Sequence, residues 1–546
     1  MSTISSYKRE DIKKSNPLFS AVRTTIETVM YSNNVEHVNS LERAYELAKN
    51  SPGTIVTDLD VFEPEKLGLP SGAKVLLFND GEITGRYAKA RVILDEDQEQ
   101  IKKYSGIARE AAFHARKTKL YHAEAYIGLN EGFMVKAHLL VQEGYENTLY
   151  NWMLNFQSRN DKYDEMYKNS KEYREGDILI LSLPDYYAKG HEDGLCLFDP
   201  THNALLLAGM RYFGEHKKGT LTLAWGIANR NGFASCHGGI KRYNLKDKAY
   251  TIGVFGLSGS GKSTLTHNNH DGKYNISILH DDAYVINDED ASSIALEPSY
   301  FDKTQDYPMD NPANKYLITT QNCGATLDEN GKIVLVNEDI RNGNGRAIKS
   351  VLWTENRINK IDEPVDAIIW LMKDSTIPPI IKLNDPVLAS VMGGTLATKR
   401  STAERLQKGI DMNALVIEPY ANPFRTYPLS HDYMKFKALF ENRGIECYIL
   451  NTGAFLDKDI PKEVTLAILE KLVEGQLEFK PMGDLKGIEY ASIEGFEPNI
   501  TDDDYRKAWL NSIDYRIKFV ESLSERDRLP AEALDRLKDF EKILCK

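Results

Sequence analysis

The chain has 546 residues, 42% of them hydrophobic and 27% charged, with a formal net charge of −12. That length exceeds one comfortable hydrophobic core and suits two or three domains, and the composition excludes a disordered or fibrous chain. The acidic balance excludes a general nucleic-acid binder, which carries a basic face, though it leaves room for a local basic pocket. Five scattered cysteines (Cys196, Cys236, Cys323, Cys447, Cys545) form no C-x-x-C pair, so neither a disulfide framework nor a zinc ribbon is expected. The opening "MSTISSYKRE" lacks the apolar core of a signal peptide, and no run of about 18 apolar residues marks a membrane span. A cytoplasmic protein without membrane or nucleic-acid partners is expected.

Short apolar runs punctuate the chain. "AKVLLFND" (73–80) predicts a buried strand, and 97–118 a helix. "GDILILSL" (176–183) and "NALLLAGM" (203–210) predict two further strands. The polar "IKRYNLKDKAY" then marks a division, giving expected domains over 1–245 and 246–546. Beyond it, "YTIGVFG" (250–256), "NISILHDD" (275–282), "DAIIWLMKD" (366–374) and "ECYILNTG" (446–453) predict strands, with a helix over 432–444. From Thr501 the tail is helical, with Leu534, Leu537, Phe540 and Leu544 at helical spacing behind Pro530, which can open a helix. Strands and helices alternating in this way predict an α/β protein with mixed sheets.

One motif carries chemistry on its own. "VFGLSGSGKSTLTH" (254–267) sets Gly256, Gly261, Lys262 and Ser263 in the order G-x-x-x-x-G-K-S, after an apolar strand and before a helix. Backbone N–H groups across Gly256, Leu257, Ser258, Gly259, Ser260, Gly261, Lys262, Ser263 and Thr264 are expected to cradle phosphates, with the helix N-terminus adding positive field. Lys262 would reach the β- and γ-phosphates, and the Ser263 hydroxyl would sit on a divalent cation. "SILHDDAY" follows, an apolar strand ending in Asp281-Asp282, the position from which carboxylates commonly hold magnesium beside such a loop. The loop alone leaves the phosphoryl acceptor open.

Upstream lie "RYFGEHKKGTLT", with adjacent Lys217 and Lys218, and "NGFASCHGG", with His237. Each is weak by itself, because paired lysines are usually solvated surface and a lone histidine is usually structural. In this order and at these separations, "FGEHKKGTL", "ASCHGG", "VFGLSGSGKSTL" and "HDDAY" resemble ATP-dependent phosphoenolpyruvate carboxykinase, which carries G-E-M-K-K-G, A-S-M-H, G-L-S-G-T-G-K-T-T and G-D-D-E-H segments. "EITGRYAKARVI" (82–93), "EPSYFDKT" (297–304), "STIPPIIKLN" (375–384) and "YILNTG" (448–453) are similar to further segments of that family.

The resemblance implies a two-domain carboxykinase-like architecture: a substrate-binding α/β domain, a C-terminal P-loop domain, and an active site in the cleft between them. It implies decarboxylation of oxaloacetate to an enolate that takes the γ-phosphoryl of ATP, giving phosphoenolpyruvate, ADP and CO2, reversibly, in gluconeogenesis. It also implies manganese held by Lys218, His237 and Asp282, and a magnesium held by Ser263 with Asp281 behind it. Lys218 ligates a metal only as a neutral amine, and an adjacent cation such as Lys217 favours that form. Arg86 matches the substrate-carboxylate arginine, whose planar fork suits bidentate binding, and Tyr212 the tyrosine near the substrate. Lys217, Lys262 and Arg346 (in "NGNGRAI") would neutralise charge on the transferring phosphoryl. "VMGGTLATKRSTAE" (391–404) lies where the family has a segment that closes over the substrates. A monomer or small homo-oligomer is expected.

This chain departs from the family pattern at several points. "GRYAKARV" lacks the family's Ser-Pro and Asp, His280 replaces a glycine before the aspartate pair, and "HGGIK" replaces H-C-S-A-N. After "NTG" the stretch "AFLDKDIPKEVT" offers no arginine to pack on adenine, so adenine recognition is expected to differ or be looser. Two alternatives stay open at this point. One is a P-loop kinase of related fold, as in bacterial HPr kinase, acting on another small acid or a protein serine; the other is a nucleotide-binding relative without catalysis.

Overall fold

A computed structural model describes residues 2–78, 88–257, 259–304, 307–338, 345–399 and 415–545. Two compact units divide the described residues: one takes those of 2–227 and 296–355, the other those of 228–295, 356–399 and 415–545. The division differs from the single crossing expected after residue 245. It comes sooner, and residues 296–355 return to the first unit, because strand Leu317–Gln321 pairs in parallel with Lys74–Phe78.

Among the described residues the first unit holds two mixed sheets. The larger runs Val35–His37, Leu120–Asn130, Phe133–Gln142, Ile178–Leu183, Ala204–Ala208, Leu195–Asp199 and Arg91–Ile93. Helices Ala21–Met30 and Gln98–Ala115 contribute Val22, Ile26, Tyr104, Ala108 and Ala111 to a core shared with Leu179, Leu181, Leu197 and Leu206 of this sheet. The smaller sheet orders Tyr300–Lys303, Arg346–Lys349, Leu317–Gln321, Lys74–Phe78 and Thr54–Asp60.

The second unit is built on the sheet Ile276–His280, Gly239–Asn244, Ala249–Phe255, Ala367–Met372, Glu446–Asn451, Ile380–Leu383, Ile488–Ala491 and Phe479–Pro481. Its central strands Ala249–Phe255, Ala367–Met372 and Glu446–Asn451 pair in parallel and are almost wholly buried. Cover on both faces is why their sequences read as continuous apolar runs, not as alternation. The tail forms helices Asp503–Glu521 and Ala531–Leu544, with Pro530 at the N-cap of the second, and Leu537, Phe540 and Leu544 are buried as expected. All five cysteines are free, four of them buried. Among the described residues no helix is long and apolar enough to cross a membrane.

Candidate active site

In the second unit, the buried strand Ala249–Phe255 runs straight into the Gly-rich loop, and helix Lys262–His267 leaves it. Gly259 (φ +84°) and Gly261 (φ +91°) both adopt left-handed backbone that glycine tolerates best. Lys373 Nζ donates to the Gly259 carbonyl at 2.8 Å and ties the loop to the end of the neighbouring strand Ala367–Met372. Ser260 is buried behind the loop, whereas Ser263 and Thr264 are exposed on the helix, open to a phosphate and its cation. Ser258 lies outside the described residues.

Gly256 needs its missing side chain for packing: a Cβ there would lie 2.3 Å from Ser260 Oγ and 2.9 Å from Leu371 Cβ. Overpacking of this kind costs about 1–3 kcal/mol, so Gly256→Ala is expected to weaken ATP binding roughly tenfold. Titration calorimetry with ATP checks this; unchanged affinity would mean that the loop yields.

Asp282 stands between two other expected site residues. His237 Nε2 lies 3.0 Å from Asp282 Oδ1, and Lys262 Nζ lies 3.9 Å from the same oxygen. His237 ends strand Phe233–His237, which pairs antiparallel with Ala283–Asn287, so the register sets His237 opposite Ala283, beside Asp282. The other imidazole nitrogen, Nδ1, meets the Ala421 carbonyl at 2.5 Å. A carbonyl only accepts, so Nδ1 carries a proton and Nε2 is the nitrogen turned to the carboxylate. In the imidazolium form Nε2 donates to Asp282; in the neutral form its lone pair and the carboxylate oxygen can share a cation. This is the donor chemistry of a metal-ligating histidine whose tautomer is fixed from behind, so the pair fits a divalent ion.

Asp281, the other half of the pair, is buried and lies 3.3 Å from His267 Nε2 of the loop helix. Burial pushes its carboxyl up, but the hydrogen bond and charge of His267, with His280 and Lys262, outweigh this and hold it well below the usual carboxylate range. It therefore stays ionised, as a carboxylate behind a magnesium must. The His280 departure also has a local reason. Its buried Nδ1 accepts from the Asp282 and Ala283 backbone N–H groups at 2.9 and 3.2 Å, shaping the turn that presents Asp282.

The first unit carries the remaining expected residues. Lys217 and Lys218 lie on helix Phe213–Arg230. Lys217 is not surface: it is fully buried, its Nζ 3.0 Å from Glu297 Oε1 and 5.5 Å from the Phe301 ring centre. Lys218 is half-buried, with Nζ 5.8 Å from the Trp225 ring centre. Tyr212 and Arg346, 134 residues apart in sequence, are both buried and meet directly, Arg346 Nε donating to the Tyr212 hydroxyl at 3.1 Å. Arg86 lies outside the described residues, as do 400–404 of the expected closing segment. Residues 391–394 of that segment end helix Pro386–Gly394, and Ala397–Lys399 form a strand.

Sequence reasoning missed Ala421, Lys373, His267 and Glu297. Ala421 was the hardest to foresee, since it contributes a carbonyl through backbone geometry. Tyr420 and Ala421 both hold φ of 52°, and the Tyr420 ring stacks on Phe436 at 4.8 Å. Left-handed backbone at two non-glycine residues costs on the order of 1–3 kcal/mol each and persists only where packing over-determines it. Glu297, by contrast, lies within "EPSYFDKT", a segment already similar to one of the family's, and that similarity was the available signal.

Residues 63–492 match the family model described as Phosphoenolpyruvate carboxykinase. The chain is 25% identical over 457 residues to the phosphoenolpyruvate carboxykinase (ATP) of Staphylococcus aureus (strain bovine RF122 / ET3-1), covering 78% of this chain and 77% of that one. It is 23% identical over 351 residues to the phosphoenolpyruvate carboxykinase (ATP) of Aeropyrum pernix, covering 59% of this chain and 66% of that one. The family match extends far beyond the P-loop and through both units, which favours this family over a kinase sharing only the loop. The chain belongs to the phosphoenolpyruvate carboxykinase family, in its ATP-dependent branch.

Proposed function

We infer that this chain converts oxaloacetate and ATP to phosphoenolpyruvate, ADP and CO2, reversibly, as a divalent-metal-dependent carboxy-lyase. The observation that carries this reading is the convergence of His237 and Lys262 on Asp282 beside the phosphate loop, in a chain whose family match covers 63–492. In the forward direction the bond to the departing carboxylate breaks and its electron pair becomes an enolate. The enolate oxygen then takes the γ-phosphoryl, and ADP leaves. A bound divalent cation supplies Lewis-acid stabilisation of the enolate charge.

The protein's part is positioning and charge. Arg86 clamps the substrate carboxylate, and Tyr212, held by Arg346, orients the substrate. His237, Asp282 and Lys218 hold manganese, while Ser263 and Asp281 serve magnesium on the nucleotide. Lys262 leaves Asp282 for the β- and γ-phosphates, and Lys217 and Arg346 offset charge on the moving phosphoryl. With no arginine in the stretch directly after Gly453 (454–465), adenine is recognised in another way than the family's usual stacking.

The test mixes full-length protein with ATP, magnesium, a trace of manganese and oxaloacetate, and follows phosphoenolpyruvate against a no-enzyme blank. Wild type is expected to form product, and Arg86→Ala and Lys218→Ala little. ATP binding without product would overturn the reading and point to another acceptor.

A further inference from the structure

A row of polar side chains crosses four strands of the larger sheet in the first unit. The register sets His37 opposite His122 and Glu124 opposite His138, and Asp177 directly precedes the next strand, Ile178–Leu183. Residues two apart on a strand share a face, so His122 and Glu124 project together. His122 Nε2 lies 3.1 Å from His138 Nδ1, and His138 Nδ1 lies 3.6 Å from Glu124 Oε1. His122 and His138 are buried, at 4% and 7% exposure. Burial, with the facing His138 and His37 rings, pushes the His122 imidazole down to about 3, so it is neutral at pH 7.

Each of these three groups is also held from behind. His138 Nε2 lies 3.1 Å from Asp177 Oδ2, His122 Nδ1 lies 2.8 Å from His37 Nδ1, and Glu124 Oε2 accepts from Arg159 Nη1 at 2.9 Å. Asp177 is itself fixed by the Thr3 hydroxyl at 2.5 Å. A carboxylate behind one imidazole, an imidazole behind the other and a guanidinium behind the glutamate are the outer supports that orient metal ligands.

We propose that His122 Nε2, His138 Nδ1 and Glu124 form a binding site for a divalent transition-metal ion of the zinc class, separate in its residues from the nucleotide and manganese ligands. Zinc bonds of about 2.0–2.1 Å place tetrahedral ligand atoms roughly 3.3 Å apart, and the two observed separations bracket that value. Imidazole suits zinc, copper, iron and nickel, whereas magnesium prefers an all-oxygen shell, so two imidazoles and one carboxylate favour the zinc class over magnesium. Three protein ligands leave a fourth position for water.

The test uses the full chain with His237→Ala, to remove the other candidate ion site, stripped by chelator and dialysed against zinc alone without nucleotide. One zinc per chain is expected, with cobalt in its place giving the strong visible absorption of tetrahedral coordination. Glu124→Gln and His138→Gln are each expected to weaken zinc binding at least tenfold. Asp177→Asn, which reaches only the far nitrogen of His138, is expected to weaken it about 10–100-fold. Glu124 is only half-buried and glutamine is isosteric, so that variant keeps its fold, and unfolding temperatures without metal confirm it. No bound zinc in the His237→Ala chain, or equal zinc retention by Glu124→Gln and His138→Gln, overturns the proposal and leaves a hydrogen-bonded relay.

Discussion

Lys262→Met is expected to lower the turnover of oxaloacetate and ATP about a thousandfold while raising the KM for ATP only several-fold. The loss is the order of magnitude seen when one preorganised charge is removed from a developing transition-state charge. The asymmetry follows from the geometry. The loop offers phosphates its backbone N–H groups whether or not the ammonium is present, so ground-state binding survives in part. The moving phosphoryl keeps only Lys217 and Arg346, each already engaged by its own partner, Glu297 and Tyr212. In the structure the Lys262 ammonium rests 3.9 Å from Asp282, on a side chain that is 11% exposed, held near the phosphate site without being committed to it. Steady-state kinetics with varied ATP reads both constants. A fall in kcat of less than tenfold would remove Lys262 from the transfer step.

The second large effect is on stability. Asp374 follows strand Ala367–Met372, and Arg516 sits on the tail helix Asp503–Glu521; their side chains are 2% and 1% exposed and meet at 3.0 Å. Ser512 Oγ donates to the same carboxylate oxygen at 2.7 Å, and Thr376 donates to the other through N and Oγ1 at 3.1 and 2.7 Å. Arg516→Met leaves a buried carboxylate without its counter-charge, at a cost of about 3–5 kcal/mol. Arg516→Met with Asp374→Leu is expected to recover much of this, since the charge is then gone from both sides.

The pH dependence has a definite sign. Burial raises the Asp374 pKa, but Arg516, Ser512 and Thr376 outweigh it, and the net shift is downward. The stabilisation is therefore complete above the ordinary carboxylate value near about 3.9 and fades as the pH falls below it, toward the folded-state value. The gap between wild type and Arg516→Met is expected to narrow in acid. Urea midpoints at neutral and acidic pH measure it, and a constant gap would assign the effect to packing. Because Lys373 beside Asp374 also holds the Gly259 carbonyl, Arg516→Met is further expected to raise the KM for ATP.

The strands that sequence reading found were those buried on both faces, such as Ala367–Met372, where every residue is apolar and buried. It passed over the two longest strands, Leu120–Asn130 and Phe133–Gln142, because His122, Glu124 and His138 interrupt their apolar runs. Those interruptions are the residues that gather into the histidine cluster. At the nucleotide site, the P-loop motif pointed to Lys262 and the family resemblance to His237 and Asp282, and the fold brings these three side chains together. The Ala421 carbonyl and the Lys373 tie to the loop escaped, since a backbone group or a single lysine leaves no pattern in one sequence. The tail from Thr501 was read as helical packing, which it is, but nothing in its periodicity singled out Arg516 as a buried charge.

The path of the chain through the first unit bears on how the protein is made. Strand Thr54–Asp60 joins a sheet in which Lys74–Phe78 must wait for Leu317–Gln321, and that segment in turn for Arg346–Lys349. A ribosome therefore has to release more than half of the polypeptide before the first unit can close, and three of the eight strands of the second unit's P-loop sheet emerge into solvent while it is still open. Sequence separations of this size slow folding and expose apolar strand edges to other chains. Truncation after residue 245 would leave an open sheet edge on Lys74–Phe78, prone to aggregate, and not an independently folding amino-terminal domain.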